Sequence, residues 1–149
     1  MSVAEQPPIP VAEPAAAEPA AAAGDDVINF ALSLLVVTKT LHWAAATTGQ
    51  HLAFDKAFDS LNGHLDRLVE VYMAAYGKQP MTSYAFSLKV SLDANEDKRK
   101  HHNALYDQAL SLAHALKRRF ETTGHDELSN QMQEVMSDIY QCKFLTNLD

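Results

Sequence analysis

The chain has 149 residues and a formal charge of −7, which fits one domain with a core plus a short tail. The acidic balance gives no electrostatic case for nucleic acid, and the single cysteine, Cys142, excludes an internal disulfide. No apolar run approaches the roughly 20 residues of a membrane span, and no secretory signal opens the chain, so we expect a cytoplasmic protein.

Residues 1–24 consist almost entirely of Ala, Pro, Glu and Val, and they include five prolines. Proline breaks helices and sheet ladders, while alanine and glutamate alone build no core. The composition predicts a disordered or semi-extended acidic tail over 1–24 and a folded domain over 25–149. Flexible arms that condense nucleic acid are basic, whereas this segment has no lysine or arginine.

The periodicity of apolar residues predicts four helices, with Thr and Gly residues at 47–49 and 122–124 as short breaks. Their predicted bounds are 26–46, 50–76, 95–121 and 126–146. The apolar stripe predicted for helix three comprises Ala104, Leu105, Ala109, Leu112, Ala113 and Leu116, with Phe120 at its end. The buried face predicted for helix four comprises Leu128, Met132, Val135, Met136 and Ile139.

A long linker over 78–94 separates helices two and three and has room for a short helix from Tyr84 to Val90. Its length exceeds that of a simple helix hairpin and suffices to return along a helix of about 40 Å. Helices two and three are therefore predicted to run parallel. The result is an all-α, ferritin-like four-helix bundle with a long crossover between helices two and three.

Helix two concentrates side chains that can bind metals. At 100° per residue, His51, Asp55, Asp59, Asp66 and Glu70 fall within an arc of about 100°. A solvated helix face explains such a stripe simply. Imidazole and carboxylates at i, i+4 spacing also suit divalent iron, zinc or manganese, so the spacing alone leaves both interpretations open.

The turn between helices one and two adds a further candidate ligand. His42 lies near the end of helix one and His51 near the start of helix two, so the short turn predicts that they are neighbours in space. Asp55 follows one turn later. Asp66 and Glu70 lie about 16 and 22 Å beyond Asp55 along the helix axis, so one ion cannot reach both groups within one chain.

Two copies of the chain would solve this separation. If their second helices cross antiparallel near Asn62 about a two-fold axis, His51 and Asp55 of one copy approach Asp66 and Glu70 of the other. Each pair of copies would then carry two equivalent sites.

These residues resemble a known signature. His42-Trp43, then His51-x-x-x-Asp55, then Asp66-x-x-x-Glu70 resembles the ferroxidase motif of Dps-type miniferritins, the DNA-binding proteins from starved cells. Uncharacterised phage and large-virus ferritin-like proteins look similar. The separation of His42 from His51 is a few residues shorter than in the family, and the Asn and Gly that follow His-Trp there are missing. This departure weakens the match at His42 more than at the other four residues.

The resemblance implies that ferrous ions bind at His42, His51 and Asp55 of one chain together with Asp66 and Glu70 of its mate. Peroxide or dioxygen would oxidise the iron, and ferric oxide would collect in a hollow shell of identical subunits, typically a dodecamer. Manganese or zinc would suit the same ligands. The location would be the cytoplasm, or a host cell or virion if the source is viral.

Two other functions stay open: a non-catalytic structural or interaction bundle of the same fold, and a DNA-compacting protein. The basic clusters at 98–100 and 117–119 are typical of solvated helix ends, so we expect no DNA binding.

The remaining candidate residues receive structural interpretations. Trp43 is predicted to be a core or interface aromatic rather than a quencher of stray oxidising equivalents. Asp59 is predicted to be solvated or adjacent to the ligands, and Cys142 is predicted to be packed in helix four. His64 is predicted to be a surface histidine. The other histidines, predicted to be structural or exposed, are His101, His102, His114 and His125.

Overall fold

The computed structural model of the chain describes residues 22–77 and 98–148. These residues form four helices, α1 (Ala22–Trp43), α2 (Thr48–Tyr76), α3 (Lys98–Thr122) and α4 (Asp126–Thr146), and contain no strand. The predicted all-α class and four-helix bundle are therefore confirmed. The predicted tail up to residue 21, and the linker with its short helix and crossover, lie outside the described residues.

The start of α1 differs from the prediction. The helix begins at Ala22, inside the segment predicted as tail, and continues through Gly24. Alanine is the strongest helix former, and the favourable helix propensity of the alanines here offsets the unfavourable propensity of a single glycine.

Reciprocal side-chain bonds fix the turn between α1 and α2. The Thr47 hydroxyl accepts a hydrogen bond from the backbone N–H of Gln50 at 3.1 Å. The buried Gln50 side chain in turn accepts from the N–H of Ala46 at 3.1 Å. This arrangement is close to a capping box, shifted by one residue, and it sets the direction in which α2 leaves the turn.

Ring contacts define the relative directions of α2 and α3. Near its start, α2 places Phe54 against His102 and Tyr106 of α3, with ring centroids 5.6 and 6.4 Å apart. At its end, Tyr76 packs on His125, just after α3, at 4.7 Å. The two helices therefore run in the same direction, and this prediction is confirmed. Gly77, with φ of 61°, caps α2 in a conformation that favours glycine.

The core contains the predicted face of α4, because all five residues predicted for it are buried. The stripe of α3 is rotated from the prediction: Leu112 is exposed, and Tyr106 and Leu110 are buried instead. The predicted residues Ala113, Leu116 and Phe120 are buried. α3 carries apolar residues on two adjacent faces, and the second face lines an open groove of about 650 Å³ against α1.

The buried residues of α2 lie on the side opposite its acidic stripe. They are Gln50, Ala53, Phe54, Ala57, Leu61, Leu65, Leu68 and Tyr72. Gly63 lies in the helix interior, where it costs roughly 1 kcal/mol relative to alanine. None of the four helices has an apolar stretch long enough to cross a membrane.

Candidate functional site

Two histidines meet at the turn between α1 and α2. The rings of His42 and His51 lie 3.9 Å apart between centroids, with planes tilted by 34°. The Nδ1–H of His42 donates to the carbonyl of His51 at 3.3 Å, and the Nδ1–H of His51 donates to the carbonyl of His42 at 3.2 Å. A carbonyl can only accept, so in the neutral rings each Nε2 keeps its lone pair. The predicted proximity of the two histidines is confirmed.

Asp55 lies one helical turn beyond His51 and faces the His42 imidazole and the Lys39 ammonium. Its Oδ1 is 3.6 Å from Nδ1 of His42 and 4.0 Å from Nζ of Lys39. The Asp55 side chain is 51% exposed, so solvent weakens both contacts. The Lys39 ammonium also lies 4.7 Å from the centre of the Phe58 ring. Lys39 was not among the residues predicted for this site.

Asp66 and Glu70 are exposed on the same helix, farther along. Within residues 22–77 and 98–148, neither carboxylate makes an ion pair. α2 is continuous from Thr48 to Tyr76, so these carboxylates stay about 16 and 22 Å along the axis from Asp55. The chain therefore brings together three of the five predicted ligands and leaves the other two apart.

A single described chain lacks a complete metal site. Among the residues that the structure describes, no group of three or more His, Cys, Asp or Glu side chains is arranged to hold a metal ion. The three gathered residues supply donors, but the Nδ1 atoms of the two histidines are already engaged with carbonyls. Any metal site here needs further donors.

Large apolar side chains flank this group. Trp43 is 73% exposed and Leu52 is 61% exposed. The predicted core role of Trp43 is therefore wrong for the single chain, because the residue ends α1 and projects from the bundle. A role at an interface stays a prediction. Asp59, on the same outer face of α2, is exposed as predicted.

A second histidine–aspartate pair connects α2 to α4. The Nδ1–H of His64 donates to Oδ2 of Asp138 at 2.6 Å, and the Ser60 hydroxyl donates to Oδ1 at 2.7 Å. The Asp138 side chain is only 10% exposed. His64 was predicted to be a surface histidine. Its side chain is 36% exposed, but the prediction missed the buried carboxylate that α4 places beside it.

The buried Cys142 thiol and Tyr106 hydroxyl stay protonated at neutral pH. Burial raises the pKa of the Cys142 thiol to about 11, and burial also raises the pKa of Tyr106 well above its ordinary value. The Tyr106 hydroxyl donates to Thr38 Oγ1 at 3.1 Å, and Cys142 Sγ lies 3.6 Å from the Tyr106 oxygen. Cys142 is packed inside α4 as predicted, so it offers no thiolate for catalysis.

The remaining histidines match their structural or exposed interpretation. His102 is buried beside Phe54, His125 packs on Tyr76, and His114 is exposed. The side chain of His101 lies outside the described residues.

Comparison with known proteins adds no relative to this picture. No family model matches the chain, and no match occurs among the curated proteins or the solved structures. The functional interpretation therefore depends on the residues and contacts themselves.

Proposed function

We propose that this chain is a Dps-like miniferritin that oxidises ferrous iron in the cytoplasm with peroxide or dioxygen and stores the ferric product, protecting against oxidative damage. The reciprocal pair of His42 and His51 carries the proposal. Their Nδ1–H groups donate to each other's carbonyls, so each neutral ring keeps its Nε2 lone pair, and the Asp55 carboxylate lies 3.6 Å from Nδ1 of His42. Backbone bonds of this kind fix the tautomer of metal-binding histidines, and imidazole with carboxylate suits ferrous iron.

A second copy of the chain supplies the missing donors. Asp66 and Glu70 are exposed, lie one helical turn apart and have no ion-pair partner in the described part of the chain. Two such carboxylates can add to the histidine group of another copy and stabilise ferric iron as its charge increases. Copies joined in this way form the unit of a larger shell, such as a dodecamer.

The iron is the substrate, and its oxidation balances without another cofactor. Two ferrous ions give one electron each to hydrogen peroxide, whose O–O bond breaks. With two water molecules, the products are two ferric oxyhydroxide units and four protons. The imidazoles and carboxylates hold the ions beside each other, and the exposed carboxylates of α2 can pass the protons to water.

Lys39 belongs to this site as a competitor for Asp55. Before iron binds, its ammonium lies 4.0 Å from the Asp55 carboxylate. Because Asp55 is half exposed, this ion pair contributes little stability and an arriving ferrous ion displaces it readily.

Complementation between two inactive variants tests the shared site. We expect His51→Ala/Asp55→Ala and Asp66→Ala/Glu70→Ala each to oxidise ferrous iron no faster than buffer, as followed by absorbance after peroxide addition. Refolded together in equal amounts, they form mixed pairs with one intact site. Random pairing then restores about a quarter of the wild-type rate.

A charge-matched variant provides the control. Asp126→Ala/Glu127→Ala removes two carboxylates from the first turn of α4, away from the site, and should keep the full rate. If His51→Ala/Asp55→Ala and Asp66→Ala/Glu70→Ala both oxidise iron at the wild-type rate, ferroxidation at these residues is excluded. Two inactive variants that show no recovery on mixing would exclude a site shared between copies.

The two alternative functions receive less support. In the second basic cluster, Lys117 pairs with Glu121, and Arg119 NH1 lies 3.6 Å from Asp26, so part of its charge is already neutralised. We expect no gel shift of DNA at low or moderate salt. A structural bundle without catalysis predicts that the wild-type protein oxidises iron no faster than buffer.

A further inference from the structure

An open apolar groove runs between α1 and α3. These two helices are the least closely packed of the four adjacent helix pairs, and the space between them has a volume of about 650 Å³. The apolar side chains that line it include Phe30, Leu34 and Val37 of α1 and Leu105, Leu112 and Leu116 of α3. Leu112 is 52% exposed in the described structure. Contiguous apolar surface of this kind favours burial under a further segment or partner.

The ends of α2 and α3 define where the chain between them must run. Tyr76, at the end of α2, packs on His125, just after α3. At the same end of the bundle, Arg119 of α3 lies 3.6 Å from Asp26 of α1, and both residues line the groove. The segment 78–97 therefore starts beside this end of the groove and has to reach the opposite end, where α3 begins.

The length of this segment is too small for a return as one helix. α3 contains 25 residues and is about 37 Å long at 1.5 Å per residue. The 20 residues at 78–97 would span only about 30 Å as an α-helix, but about 66 Å when fully extended. A connection between the two ends therefore needs an extended stretch.

The sequence of the segment alternates between apolar residues and polar or small ones. The apolar residues of this alternation are Tyr84, Phe86, Leu88, Val90 and Leu92. Successive side chains of an extended chain point to opposite sides, so these five would share one side. In the short helix predicted for 84–90, Phe86 and Val90 would instead lie about 200° and 240° from Tyr84. The alternation thus favours an extended stretch with one apolar side.

Two routes lead from α2 to α3, because these helices lie across a diagonal of the bundle. One route passes α1 and follows the groove, and the other passes over α4. The outward side of α4 is polar along much of its length, where Gln133, Glu134 and Ser137 are exposed. The groove is therefore the route on which the apolar side of the segment is removed from water.

We propose that residues 84–92 lie along the groove between α1 and α3 as an extended stretch, with their five alternating apolar side chains directed inward. The stretch completes the hydrophobic core and covers Leu112. It also explains why α3 carries apolar residues on a second face, which the described helices leave uncovered. The inference does not depend on iron oxidation or on a second copy of the chain.

Thiol labelling of Leu112→Cys in the full chain tests the proposal. Cys142 is only 1% exposed, so the engineered thiol reacts without competition. The matched control is Tyr140→Cys on α4, where the native side chain is 50% exposed. We expect a maleimide to label Leu112→Cys at least about tenfold more slowly than the control, because the thiol reacts only when the stretch detaches locally. Equal labelling rates overturn the proposal.

Substitutions in the segment identify the side that faces the groove. Phe86→Asn/Leu88→Asn should raise the labelling rate of Leu112→Cys towards that of Tyr140→Cys. The matched Ser87→Asn/Lys89→Asn, on the other side of the extended stretch, should leave the rate unchanged. Leu88→Ala is a milder change that should act in the same direction if the first double variant does not fold. Equal effects of the two double variants overturn the proposed arrangement.

The same measurement distinguishes two other occupants of the groove. If the N-terminal tail covered it, Val3→Asn/Ile9→Asn/Val11→Asn would speed the labelling of Leu112→Cys, and the linker substitutions would not. If a second copy covered it, the protection would disappear on dilution of the protein. We expect neither change, and either one overturns the proposal.

Discussion

Two histidine–aspartate pairs flank α2 on opposite sides, and their surroundings differ. His42 Nδ1 lies 3.6 Å from an Asp55 carboxylate that is 51% exposed. His64 Nδ1 lies 2.6 Å from an Asp138 carboxylate that is 10% exposed and also accepts a hydrogen bond from Ser60. The outer pair, His42 and Asp55, is long and its carboxylate is solvated, whereas the inner pair, His64 and Asp138, is short and its carboxylate is buried.

The difference separates a structural pair from an adjustable one. Buried charges must find their partners within the fold, and removing one partner destabilises the protein. The carboxylate of an exposed pair can exchange its partner for a metal at little cost in stability. The two pairs therefore predict opposite balances between stability and metal binding.

Removal of the inner carboxylate should have the largest effect on stability. We expect Asp138→Ala to lower the free energy of unfolding by about 3 kcal/mol, because His64 and Ser60 lose their shared acceptor and a cavity remains. Urea denaturation measures the change. Glu134→Ala, at an exposed position one turn away on α4, should change stability by less than about 0.5 kcal/mol. Equal effects of the two substitutions would contradict the assignment.

Alkaline pH should lower the free energy of unfolding by an amount similar to, or smaller than, the effect of Asp138→Ala. The thiol of Cys142 has an ordinary pKa of 9.0, and burial raises it to about 11. Between these values the unfolded thiol ionises while the folded one stays protonated, so stability present below pH 9 is lost as the pH rises to 11. The loss should reach about 2 to 3 kcal/mol.

Urea denaturation at several pH values checks this expectation. The raised pKa of Tyr106 acts in the same direction at the upper end of the range. Cys142→Ala should show a smaller decline between pH 9 and 11 than the wild type. An identical decline in both proteins would assign the effect to other groups.

Ser60→Ala should have a smaller effect than Asp138→Ala. The substitution removes one of the two hydrogen bonds to Asp138, and His64 still holds the other oxygen. We expect a loss of about 1 kcal/mol by thermal or urea unfolding. A loss as large as that of Asp138→Ala would mean that the serine, and not the histidine, satisfies the buried carboxylate.

Removal of the outer carboxylate should have the smallest effect on stability. We expect Asp55→Ala to change the free energy of unfolding by less than about 0.5 kcal/mol, because its contacts are solvated. Equilibrium dialysis with manganese(II) should nevertheless show a loss of affinity of about tenfold or more, since a charged ligand is missing. Unchanged affinity would remove Asp55 from the ligand set.

Sequence reasoning succeeded where the relevant distances are local. The short link between α1 and α2 sufficed to place His42 beside His51, because few conformations of such a turn separate the helix ends. Helix periodicity likewise placed Asp55 near both, and the continuous helix kept Asp66 and Glu70 distant. The four helices followed from apolar periodicity and from the Thr and Gly residues at two breaks.

Sequence reasoning failed where the result depends on how helices rotate and stagger against each other. The His64–Asp138 pair joins residues 74 positions apart, and no local pattern predicts which carboxylate reaches the imidazole. α3 shows the same limit, because its apolar residues cover two faces and only packing decides which face is inside. Leu112 lies outside and Tyr106 inside, although leucine is the more apolar residue.

The turn between α1 and α2 has a consequence for binding rates and affinity. Because Thr47, Gln50 and Ala46 lock the turn through hydrogen bonds, the two imidazoles adopt their mutual orientation during folding and before any ligand arrives. The entropy of ordering these rings is then part of the folding free energy and does not reduce the binding free energy. For the proposed function, preorganisation of this kind means that the first ion would not have to order these two rings when it binds.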